Sequence, residues 1–126
     1  MILSIDFDGT ICRGTYPNID GQHPYAAETI ERLYNEGHYI IINTCRSGER
    51  LLEAINWMLK EGIKFHRVND NHPEQIKLYN NNSRKIYAHL YVDDKNLGGF
   101  PGWLWAYDAI TEKENEYTTR EHTPLK

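Results

Sequence analysis

A chain of 126 residues is the size of one domain and leaves no room for a second of ordinary size. Its 40% hydrophobic and 12% aromatic content excludes a disordered chain. Fourteen Lys and Arg against eighteen Asp and Glu, a formal charge of -4, offer no general attraction for nucleic acid, although a local basic patch is compatible with that balance. Cys12 and Cys45 have no metal-ligand spacing and are expected to be reduced thiols. The opening apolar run is too short for a signal sequence and no other run approaches a membrane span, so the expected location is cytoplasmic.

Residues 2–5 are too few and too uniformly apolar for a helix face and read as a buried strand of a parallel sheet. The strand ends at Asp6-Phe7-Asp8-Gly9-Thr10, which places two carboxylates at the carboxyl end where open α/β sheets hold ligands. Gly9, Gly14, Pro17, Gly21 and Pro24 make residues 9–24 an extended loop, with Arg13 and Tyr16 as its candidate substrate contacts. A helix is expected from Pro24, with Ala26, Ala27, Ile30, Leu33 and Tyr34 on one face and Gly37 as its stop. Residues 39–42 form a second buried strand ending at Asn43-Thr44-Cys45-Arg46, and the strand, crossover helix and strand make a right-handed parallel unit.

A second helix is expected from Ser47 or Gly48 to Gly62, with Leu51, Leu52, Ile55, Met58 and Leu59 as its apolar face. Residues 63–68 read as a third, edge-like strand, and Pro73 starts a short helical segment through Tyr79. Lys85 precedes residues 86–92, whose second half is expected to enter the sheet as a fourth strand ending at Asp93-Asp94. After a glycine-rich loop, residues 103–110 make a last helix or helical turn, in which Trp103 and Trp105 serve core or rim packing. Residues 1–110 thus hold the expected elements, and residues 111–126, with Pro124, are a polar tail to which no catalytic role is assigned.

Three strand ends carry side chains suited to a phosphate and a metal: Asp6 and Asp8, Thr44, and Asp93-Asp94. Clustered carboxylates repel one another when empty and are neutralised by a hard divalent cation, which favours magnesium. Zinc is disfavoured because no histidine or cysteine pair has ligand spacing; His23, His66, His72 and His89 are scattered and read as structural or exposed. In this arrangement Asp6 is the nucleophile toward phosphorus, Asp8 the acid and then the base, and Thr44 and Lys85 the groups that bind the phosphoryl oxygens. Magnesium would be held by Asp6, the backbone carbonyl of Asp8 and Asp94, with Asp93 orienting bound water or fixing Lys85. Arg46 has two readings, substrate binding or pairing with an acidic surface residue.

Asp6-Phe7-Asp8-Gly9-Thr10 resembles the first motif of the haloacid dehalogenase-like (HAD) phosphohydrolases, Thr44 the second, Lys85 the third and Val92-Asp93-Asp94 the fourth. The resemblance covers residues 1–110 and implies a three-layer α/β/α Rossmann-like fold with a mainly parallel sheet. It also implies an aspartyl-phosphate on Asp6, a magnesium site around Asp6, Asp8, Asp93 and Asp94, and substrate contacts near Gly9 and Thr10. The intervals between the motifs hold no substantial cap, so the resemblance is to the minimal, capless type. Its substrate would be a phosphorylated small molecule or a macromolecular end, and the chain carries no membrane partner and leaves a homo-oligomer open.

Two other enzyme outcomes share the same intermediate: a phosphotransferase and a mutase, the latter disfavoured without a cap to exclude water. A non-catalytic metal- or phosphate-binding module, or a flavodoxin-like receiver, would also keep an aspartate-rich α/β site. Asp8 favours an enzyme, since metal binding alone needs no side-chain acid at that position.

Overall fold

The computed structural model describes residues 1–122, with side chains through residue 118. Four strands, β1 (Ile2–Asp6), β2 (Tyr39–Asn43), β3 (Arg67–Val68) and β4 (Leu90–Val92), form one sheet in the order β3-β2-β1-β4. Every strand pair is parallel, with Leu3 opposite both Ile40 and Leu90, and Ile5 opposite both Ile42 and Val92. The helices are α1 (Ala26–Asn35), α2 (Gly48–Glu61), α3 (Pro73–Tyr79) and α4 (Trp103–His122). Together they make a three-layer α/β fold of Rossmann-like type.

The two sheet faces are unequal. Leu3, Ile5, Ile40, Ile42 and Val92 share a core with Ala26, Ile30 and Leu33 of α1, Ala54 and Met58 of α2, and Trp103, Ala106 and Ile110 of α4. The opposite face has only a small cluster of Ile2, Ile41, Ile86 and Ala88 with Tyr39, and α3 beside it buries no residue. Most of the apolar area removed from water, and so most of the packing stability, therefore lies on one side.

The chain runs from β1 outward to β2 and β3, then crosses back to β4 on the other side of β1. This reversal puts a topological switch point between β1 and β4, where the diverging connections leave a crevice beyond the strand ends. Asp6 and Asp93 stand on its two sides.

Several elements depart from the sequence expectation for local reasons. Helix α1 starts at Ala26 rather than Pro24, because Tyr25 takes a left-handed conformation (φ 66°) and redirects the chain. The Gln22 side chain, 2.8 Å from the Ala27 N–H, then satisfies an orphan donor of the first turn. The expected strand over residues 63–68 pairs only at Arg67–Val68. Just before it, His66 Nδ1 accepts from the Ile40 N–H at 2.9 Å, a side chain taking the place of a ladder carbonyl. The loop after Thr10 folds into a narrow hairpin-like excursion, with Arg13 N–H donating to Gly21 O and Asp20 N–H to Arg13 O, both at 2.8 Å.

Helix α4 continues twelve residues past the expected end at residue 110, through most of the polar tail. Thr111-Glu112-Lys113-Glu114 has no apolar stripe; its support is tertiary. Glu114 meets the buried His38 at 2.9 Å, and His38 also contacts the N-terminal amine at 3.2 Å. Pro124 lies outside the described residues. No described helix is long and apolar enough to cross a membrane.

Trp103, 1% exposed, donates its indole N–H to Thr10 O at 2.9 Å and so ties α4 to the turn after β1. Trp103→Phe keeps most of the apolar contact but leaves that buried carbonyl unpaired. Urea denaturation is expected to show a loss of about 1–3 kcal/mol; an unchanged midpoint would mean that the bond contributes nothing to holding the two elements together.

Candidate metal and phosphate site

The site begins with a tight turn. Immediately after β1, the carbonyl of buried Phe7 accepts from the N–H groups of Thr10, Ile11 and Cys12 at 3.0–3.3 Å. The turn requires Gly9 in a left-handed conformation (φ +85°), and a Cβ at that position would run into the Asp94 carboxylate. Glycine here serves a close approach as well as a backbone angle.

Thr10 is fully buried and works in both directions. Its hydroxyl donates to Asp6 Oδ2 at 3.1 Å and accepts from the Asp94 N–H at 3.0 Å. One hydroxyl thereby joins the ends of β1 and β4 across the switch point. Burial and two hydrogen bonds make Thr10 an internal support of the site.

Asp6, Asp93 and Asp94 come together, with one carboxylate oxygen from each within 4.8 Å of the others. Asp94 Oδ1 is buried without a hydrogen-bond partner among the described residues, and Asp93 Oδ1 accepts from the Lys95 N–H at 2.9 Å. A trio of carboxylates, one of which keeps a buried oxygen without a hydrogen-bond partner, fits a hard divalent cation such as Mg2+, which takes oxygen ligands. Burial pushes the Asp6 carboxyl up to about 8; the negative charge of Asp93 and a hydrogen bond shared with Asp94 add to the rise, while the Thr10 hydroxyl opposes it. Without a cation, a proton thus takes over part of the neutralisation.

The Asp8 side chain stands apart from this trio. Arg46 Nε donates to its Oδ2 at 2.8 Å and Arg46 Nη2 to its Oδ1 at 2.7 Å, a bidentate pair. Arg46 is 2% exposed and also reaches Arg50 O and Pro17 O, at 3.2 and 3.0 Å. Its guanidinium lies over the rings of Phe7 and Tyr16 at 5.2 and 5.0 Å. The hydrogen bond to Asp8 raises the guanidinium further above its ordinary range. Of the two expectations for Arg46, pairing is the observed one, but the partner is Asp8 of the site rather than an acidic surface residue. Cys12, buried next to this pair, has its thiol pushed up to about 11, first by burial and then by the Asp8 charge.

Thr44 lies at the end of β2. Its hydroxyl accepts from the Arg46 N–H at 3.1 Å, which leaves its own proton to donate elsewhere, and its N–H donates to Asn69 Oδ1 at 2.8 Å. Asn69, which no sequence pattern singled out, holds a left-handed conformation (φ 52°) that brings its amide back onto the loop. Tyr16 is exposed at the mouth of the hairpin and Arg13 lies against Gly21. Lys85 is exposed, with Nζ 5.6 Å from the Tyr91 ring, and the ion pairs among the described residues include none from Lys85 to the acidic trio. Of the expected phosphate-binding pair, Thr44 stands at a neighbouring strand end, whereas Lys85 is not brought into contact with the carboxylates.

The raised Asp6 value has a definite sign. Between about pH 4 and pH 8 the folded state holds a proton that the unfolded chain has released, so metal-free stability falls as pH rises through that window. The thermal midpoint without metal is expected to drop between about pH 5 and about pH 8.5, and Mg2+ to raise it more at the higher pH, because it replaces the proton. Asp6→Asn should flatten both responses; an unaltered pH profile in that variant would assign the effect to other groups. Gly9→Ala, which displaces the Asp94 carboxylate, is expected to weaken Mg2+ binding by about 10–100-fold in calorimetric titration; unchanged affinity would remove Asp94 from the ligand set.

Among known proteins, no family model and no curated protein matches the sequence. The solved structure of a conserved protein from Bacteroides thetaiotaomicron does, with a TM-score of 0.80 and 42% sequence identity over 90% of this chain and 91% of that one. At that identity and coverage the likeness extends beyond the fold, and this chain belongs to the same family as the conserved Bacteroides thetaiotaomicron protein.

Proposed function

We propose that this protein is a capless HAD-like phosphohydrolase that cleaves a phosphomonoester through an aspartyl-phosphate on Asp6, with Mg2+ as cofactor. The observation that carries the reading is the meeting of Asp6, Asp93 and Asp94 at the switch point, with one Asp94 oxygen unpaired. When bound there, the cation would neutralise charge on the phosphoryl oxygens.

In the first half-reaction, an Asp6 oxygen attacks phosphorus, the bond from phosphorus to the leaving oxygen breaks, and that oxygen takes a proton from Asp8. In the second, water attacks phosphorus, its proton passes to Asp8, and Asp6 is released with inorganic phosphate. Thr44 donates its hydroxyl proton to a phosphoryl oxygen. Lys85 serves as a cation for the same group only after moving from the Tyr91 ring. Both Asp8 oxygens accept from the Arg46 guanidinium, so donation to the leaving oxygen requires Asp8 to turn from that partner and carry a proton. Phosphotransfer to a second substrate would use the same intermediate.

The Asp8–Arg46 pair is also the specific observation that favours a second reading, a metal- or phosphate-binding module without turnover. A panel of phosphate esters with and without Mg2+ separates the two. Metal-dependent phosphate release, lost by at least about 100-fold in Asp6→Asn with the fold retained by circular dichroism, is the expected result. Full turnover in that variant would eliminate Asp6 as the nucleophile, and no turnover on any ester in the presence of bound Mg2+ would favour the binding module.

A further inference from the structure

A groove of about 620 Å³ runs along the free edge of β4, between the loop before α4 and α4 itself. That volume is within the range of small-molecule sites, about 300–1,000 Å³. Its walls are mainly apolar, with Val92 and Phe100 below and Leu97 and Trp105 at the rim. The last two are large, apolar and more than half exposed, so their side chains are open to a ligand in the groove.

The two ends of the groove differ from its middle. Asp93 lines one end and is also a member of the acidic trio, so the groove leads directly out of the candidate metal site. Lys113 lines the other. Its ammonium makes a 3.6 Å surface pair with Glu116, half-exposed on both sides, a contact weak enough to exchange for a ligand anion. A phosphate held at the trio would leave the remainder of its molecule beside an apolar wall with a cation at the far end. A strand added to β4 is the less fitting occupant, because three residues offer few ladder hydrogen bonds.

We propose that this groove seats the organic part of the phosphorylated substrate, a flat apolar body against Phe100 and Trp105 bearing an anionic group that pairs with Lys113. The assignment rests on the phosphohydrolase reading for its phosphate end. It makes Trp105 a specificity residue and places substrate choice on the β4–α4 side of the site, opposite the hairpin that carries Arg13 and Tyr16.

The test uses the full chain with Mg2+ and three probes: 2-naphthyl phosphate, its 6-carboxylated analogue, and 2-naphthol, which has no phosphate. The expected result is that all three shift the Trp105 indole signal and the Gly98 and Gly99 amides in nitrogen–proton NMR spectra. Trp105→Ala should lower the preference for 2-naphthyl phosphate over glycerol phosphate about tenfold, through KM rather than kcat. Lys113→Met should lower the preference for the carboxylated probe over the plain one about threefold. If the esters are hydrolysed but no probe moves Trp105, or if Trp105→Ala slows both esters equally, the groove assignment is overturned while the phosphohydrolase reading stands. If the probes move Trp105 but no ester is hydrolysed, the phosphohydrolase reading falls and the apolar site stands. Trp105 shifts that grow with protein concentration alone would assign the groove to a second copy of the chain and overturn the proposal.

Discussion

A single buried hydroxyl holds the candidate site together. Thr10 donates to Asp6 and accepts from the Asp94 backbone, so the ends of β1 and β4, 84 residues apart in the chain between Thr10 and Asp94, are fixed against each other by one side chain. The Thr10 carbonyl receives the Trp103 indole, which adds α4 to the same point. The indole bond is buried and the two hydroxyl bonds are partly buried, so losing the indole bond leaves a desolvated carbonyl rather than a hydrated one. The turn can be this tight because Gly9 has no Cβ to occupy the space of the Asp94 carboxylate.

The cost of this arrangement is electrostatic. Three carboxylates share a small volume, and Asp6 responds by holding its proton far above the ordinary carboxylate range. Such a site is unfavourable for the empty protein at neutral pH and favourable for a cation, the combination expected where binding rather than stability has shaped a cluster. Asp8, two residues on, has a different environment: its charge is answered by Arg46. Neighbouring carboxylates of one motif are thereby given separate chemical characters, one poised for a metal and one held by a guanidinium.

The unequal covering of the sheet bears on where a ligand is met. Helices α1, α2 and α4 pack one face into a continuous core, and the other face has a thin cover. Helix α4 returns along this core beside β4 without supplying a fifth strand, so the β4 edge stays open as the groove. The hairpin at residues 11–23 faces the site from the opposite direction and is pinned there by Pro17 O and the Tyr16 ring, both resting on Arg46.

The parallel strands and most of the helix placement were legible because apolar runs of strand length alternate with 3.6-residue periodicity, while the order β3-β2-β1-β4 came only from the structure. The meeting of acidic side chains at the strand ends was legible for the same reason: once β1 and β4 are parallel, Asp6 and Asp93 must share one edge. The sequence by itself therefore determined the α/β class, the parallel sheet and the presence of carboxylates at its carboxyl end. What only the tertiary structure decided depends on contacts between residues far apart in the chain. Arg46 meets Asp8 across 38 positions, Thr10 is turned inward, His66 substitutes for a strand carbonyl, and a polar segment continues α4 through the meeting of Glu114 with His38. Periodicity reports which face of an element is buried; it is silent on which partner a polar side chain finds there, because that choice is made by the packing of the other elements.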